Sequence, residues 1–74
     1  MLVRDYFVEI GRAPPEEGGY LIATVPDLPG CTSDADDWDS VEANVADAID
    51  TWIAAARRLG RPVPPPATIS EKRA

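Results

Sequence analysis

The chain has 74 residues, thirteen acidic against seven basic for a net charge of −6, with one cysteine and no histidine. That length makes one small domain, burying only about 60 % of its unfolded surface. A lone thiol excludes an internal disulfide and the missing imidazole removes the commonest metal ligand, so association between subunits is the expected extra source of stability.

An acidic surface repels phosphate backbones, which argues against direct nucleic-acid binding and for a basic partner, although such a charge also serves solubility. No apolar run approaches the ~20 residues of a membrane span. Arg4, Asp5 and Glu9 interrupt the apolar start, which is unlike a signal peptide, and a cytoplasmic protein is expected.

Residues 2–10 alternate, with Leu2, Tyr6, Val8 and Ile10 on one face and Val3, Asp5, Phe7 and Glu9 on the other. Period two with aromatic and β-branched residues predicts one strand whose even face lies in the core. The stretch GRAPPEEGG follows, a loop rich in breakers and longer than most hairpin links, with a mobile tip expected. Residues 20–25, YLIATV, predict a strand antiparallel to the first, ended by Pro26. It is apolar on both faces, Leu21, Ala23 and Val25 against Tyr20 and Ile22, which calls for a central position or a second subunit. Residues 31–33 are a candidate third strand.

From Trp38 onward, Val41, Val45, Ala48, Trp52, Ala56 and Leu59 recur at spacings of three and four, the stripe of an amphipathic helix over residues 38–59. Ile49 and Ile53 widen the stripe on one flank, while Asp39, Ala43, Asp50 and Arg57 lie opposite. Asp37 is the expected N-cap, acids at the start and Arg57 and Arg58 at the end suit the helix dipole, and Gly60 is the stop. In the proline-rich tail, Val63 and Ile69 are candidates for a short extended edge. The domain is expected over residues 1–66, with residues 67–74 a flexible tail.

The run PDLPGCTSDADDWDS gathers the cysteine and several acids. A calcium loop needs a glycine among its acids and a late glutamate, but Gly30 precedes Asp34 and the twelfth position is Val45. Asp5, Glu9 and Asp27 have no spacing that marks a magnesium nuclease site. Cys31 has no histidine to activate it and reads as a small buried hydrophobe. The acids read as helix caps, Trp52 as core, and Trp38 as core or interface. No catalytic residue, metal site or cofactor is expected.

Gly18, Gly19 and Tyr20 opening an apolar strand, then Pro26, Asp27, Leu28, Pro29, Gly30 and Cys31, then acids and a long helix carrying Ala43, Asn44, Ala48 and Ile49, resemble the HicB antitoxin family. The resemblance implies an α+β, partial ribonuclease-H-like fold: three antiparallel strands, a long helix and a short fourth strand (β-β-β-α-β). It also implies a non-enzymatic antitoxin that binds and neutralises a small basic, mRNA-cleaving HicA-like toxin. Many relatives carry a C-terminal DNA-binding module; the residues after the helix are too few for one, so direct DNA binding is not expected.

The candidate partner contacts are Asp27, Leu28, Asp34, Asp36 and Asp37, and a homodimer or higher homo-oligomer is expected. The rival readings are an orphan HicB-like oligomeric domain with another partner, and a metal-dependent nuclease keeping residual ribonuclease-H chemistry.

Overall fold

A computed structural model describes residues 1–66 of the chain. It is an α+β arrangement of five short strands followed by one long helix. A two-stranded hairpin pairs β1 (Leu2–Val3) with β2 (Tyr6–Phe7), and a three-stranded antiparallel sheet has the order β3 (Glu9–Arg12), β4 (Leu21–Thr24), β5 (Thr32–Ala35). The helix α1 (Trp38–Arg58) packs against β5, β4 and β1.

The single strand expected over residues 2–10 is in fact folded back on itself. Arg4 and Asp5 have φ of 52° and 68°, both left-handed, as a two-residue hairpin turn of the primed type demands. The turn places Val3 opposite Tyr6 and Leu2 opposite Phe7. Val3 and Tyr6 therefore share the core face, whereas Leu2, expected inside, is 56 % exposed. Simple alternation put Val3 and Tyr6 on opposite faces because it assumed an uninterrupted strand. The ion pair between Arg4 and Asp50 of α1, at 2.9 Å, ties the turn to the helix.

The glycine- and proline-rich loop is shorter than its composition suggested, because β3 runs on to Arg12 and Ala13 N–H still donates to Tyr20 O at 2.8 Å. A 3-10 turn over Pro15–Glu17 fills the tip. Gly18 and Gly19, at φ of 111° and 62°, turn the chain into β4 while their N–H groups close back onto Pro15 O and Pro14 O. Residues with a Cβ rarely adopt that backbone, which explains the glycine pair.

β4 is the central strand, one of the two placements that its apolar faces called for. Leu21, Ala23 and Val25 are buried against α1, while Ile22 and the half-buried Tyr20 lie on the outer face. The third strand forms one residue later than expected, at Thr32–Ala35, with Cys31 buried just before it.

The helix begins with Asp37 as N-cap, whose carboxylate accepts from Ser40 N–H at 2.9 Å. Beyond its C-cap Leu59, Gly60 takes φ of 71° and donates to Arg57 O, while Arg61 N–H reaches Ala56 O at 2.8 Å. Those two bonds are the Schellman closure of a helix end. At ~1.5 Å per residue its 21 residues span about 32 Å.

Its buried seam is Val41, Val45, Ile49 and Ala56, with Trp52 and Ile53 packed beside it. Ile49, read as a flank, is central, and the two ends of the expected stripe, Trp38 and Leu59, are 56 % and 65 % exposed. Core contact needs a neighbour, and the sheet is shorter than the helix.

No strand follows the helix within residues 61–66, contrary to the fourth strand expected near Val63. Pro62, Pro64, Pro65 and Pro66 lack the N–H a ladder needs. The segment is held instead by Tyr6, whose hydroxyl donates to Pro64 O at 2.6 Å. Ile69 and the expected tail lie outside the described residues.

Candidate functional site

The run from Pro26 to Cys31 forms two turns back to back. Leu28 N–H donates to Val25 O at 3.1 Å and Cys31 N–H donates to Leu28 O at 2.9 Å. Each turn has proline at its second position, and Gly30 at φ of 82° supplies the left-handed third position of the second turn. Val25 N–H to Cys31 O, 3.0 Å, closes the loop where β4 passes to β5.

Between its turns the loop drives Leu28 into the core, where it is 0 % exposed. Leu28 is thus corrected from a candidate partner contact to a core residue; a side chain with no accessible surface cannot meet another protein. Pro29 O accepts from Trp52 Nε1 at 2.9 Å, which pins the loop to α1. On its other side Tyr6 feels the loop: burial first, and the Asp27 carboxylate second, hold its phenol above the ordinary value of 10.0. Cys31 is buried, and burial alone pushes its thiol up, the opposite of activation.

Downstream, Asp34, Asp36 and Asp37 are exposed on β5 and at its junction with α1, and Asp39 extends the row into the first helical turn. Asp37 is committed to the cap, and the Asp34 backbone carbonyl accepts from Asn44 Nδ2 at 2.9 Å. Among the described residues none of the four has a basic partner. In their midst stands Trp38, more than half exposed. An exposed indole with acidic residues on both sides of it in the chain, none of them ion-paired among the described residues, is suited to a partner that offers both a cavity and positive charge.

The structure thus separates the sequence candidates. Asp34, Asp36 and Asp37 cluster at the acidic corner, while half-buried Asp27 sits in the loop toward Tyr6. Asp5 lies at the hairpin turn and Glu9 on β3. Among the described residues no three acidic or cysteine side chains converge as metal ligands would. Trp38 is the residue that sequence reasoning left undecided. The signal was its place between the cap and the first core residue, Val41.

A protein-family model described as a HicB-like antitoxin of bacterial toxin-antitoxin system matches residues 6–74. The chain belongs to the HicB-like antitoxin family. No curated protein and no solved structure matches it. Membership assigns this HicB-like chain to a toxin-antitoxin system, implies a toxin as partner and suggests a non-enzymatic role. No described helix is long and apolar enough to cross a membrane.

Proposed function

We propose that this chain neutralises a small, basic, mRNA-cleaving toxin of the HicA type by binding it directly in the cytoplasm, without catalysis. The observation that carries the reading is the acidic corner of Trp38 with Asp34, Asp36, Asp37 and Asp39, exposed and without basic partners among the described residues. Charge complementarity would speed encounter, and the indole would supply apolar contact once water is excluded. Asp27 is the further contact proposed, at the margin of the loop. In this reading the partial ribonuclease-H-like scaffold serves as a binding platform.

Co-expression with a small basic ribonuclease of the HicA type tests the proposal. Growth should be restored and the two proteins should purify together. The doubly substituted Asp34→Asn/Asp36→Asn chain changes only exposed groups and should bind about tenfold more weakly at low salt, with the gap narrowing as salt screens the remaining charges. Failure to rescue growth, or binding indifferent to both salt and the substitutions, would defeat it.

A further inference from the structure

Among the described residues, backbone hydrogen bonding leaves one edge of the sheet open. The bond from Ala13 N–H to Tyr20 O sets the phase of the β3–β4 ladder, so that Glu9 and Gly11 exchange bonds with Thr24 and Ile22. Ile10 and Arg12 consequently turn their N–H and C=O groups away from β4. On the opposite edge, the bond from Val25 N–H to Cys31 O likewise leaves Thr32 and Asp34 facing outward.

That β5 edge is guarded. Asn44 Nδ2 occupies Asp34 O at 2.9 Å, and the strand carries Asp34 with Asp36 just beyond it. Charged, side-chain-capped edges resist added strands. Among the described residues the β3 edge is covered beside β2 alone, where Val8 N–H donates to Met1 O at 2.8 Å and the Met1 amino group to Val8 O at 3.4 Å. Among the described residues no bond reaches the outward N–H or C=O of Ile10 or Arg12.

We propose that this edge pairs with the same edge of a second copy of the chain, antiparallel, about a two-fold axis through Gly11. Ile10 of one copy then lies opposite Arg12 of the other, and every outward N–H finds a carbonyl across the axis. Neighbouring registers fail. Centring the axis on Ile10 would need Val8, already bonded to Met1; centring it on Arg12 would oppose Ile10 to Pro14, which has no N–H.

Gly11 supports this register independently. A Cβ there would meet nothing within 4 Å and its φ is not left-handed, so the fold of one copy gives no reason for glycine. Glycine inside a strand is a cost, and it marks places where another backbone comes close. At the axis the two Gly11 Cα atoms would form a pair that exchanges no hydrogen bonds, about 4.5 Å apart. Charge also favours a second copy over a basic partner strand, since β3 carries Glu9 and Arg12 and is neutral within a chain of net charge −6.

The test is sedimentation or native mass spectrometry of the full chain, wild type against Gly11→Glu and Gly11→Lys. The wild type should be dimeric. Each substitution places like charges opposite each other across the axis and should weaken the dimer about fivefold or more, with the helical circular dichroism signal unchanged. Mixing the two variants should restore dimers that are predominantly mixed. A monomeric wild type overturns the proposal, as does a dimer indifferent to both substitutions or a mixture that does not recover. A monomer whose toxin binding is lost in Gly11→Glu overturns it in favour of a toxin strand on the same edge.

Discussion

Leu28→Ala tests whether the family's turn is core or contact surface. Leu28 is 0 % exposed, so truncation removes three buried carbons with no gain of solvent contact. At ~0.8 kcal/mol per buried carbon the transfer loss is about 2.4 kcal/mol. The residual cavity raises the total to about 3–4 kcal/mol, because Pro26, Pro29 and the two turn hydrogen bonds hold the backbone from collapsing inward. A chain of 74 residues has about 4–11 kcal/mol of stability in total, so the variant should stand near the edge of folding.

Equilibrium urea unfolding, at one fixed protein concentration, reads this directly. Trp52 fluorescence reports the loop, because its indole donates to Pro29 O, and circular dichroism reports the helix. With a slope of about 1 kcal/mol per molar urea the midpoint should fall by about 3 M, equally by both probes and without a change of slope. A fall below about 1 M accompanied by loss of toxin binding would refute the burial argument and return Leu28 to the contact surface.

Asp37→Ala should cost about 1 kcal/mol by removing the acceptor for Ser40 N–H, whereas Asp37→Ser should keep most of it, as thermal melts would show. Tyr6 titrates above its ordinary value, so its neutral form is favoured in the folded state; its contribution is full below about pH 10 and is lost as pH rises through the higher folded value. Urea midpoints should therefore fall above about pH 10. Tyr6→Phe should flatten that fall while losing about 1 kcal/mol at neutral pH with the bond to Pro64 O. Cys31, buried with its thiol pushed up, should react with a disulfide reagent far more slowly than free cysteine and at the free rate in urea, as the absorbance of the released thiolate would show.

The helix was legible because its signals agree: a periodic apolar face, an Asp37 cap, and Gly60 followed by proline. β4 was legible for the same reason. The N-terminal hairpin was not, since Arg4 and Asp5 carry no glycine or asparagine to announce two left-handed residues. Unbroken alternation therefore looked like one strand. Within residues 61–66 the fourth strand failed on proline chemistry that the sequence displayed, and the resemblance outweighed it. At the site, the exposed acids were found from composition. The burial of Leu28 and the exposure of Trp38 depend on where the sheet ends, which no local pattern encodes.

The two kinds of residue in the run from Pro26 to Ser40 separate on physical grounds. Leu28 fills the core, Pro29 O holds Trp52 of the helix, and Asp27 lies against Tyr6, which in turn holds Pro64 beyond the helix. The loop thus joins the hairpin, the sheet, the helix and the segment after it through single, geometrically strict contacts. Such a loop tolerates little movement, so it is poorly placed to adapt to a partner. The acids after it are tied down only at Asp37, with the Asp34 backbone held by Asn44. Their side chains remain free to rearrange around Trp38. Shape is therefore set by PDLPGC, and if the proposed binding holds, with Asp27 as its marginal contact, changes that alter toxin choice should fall mainly in DADDWD.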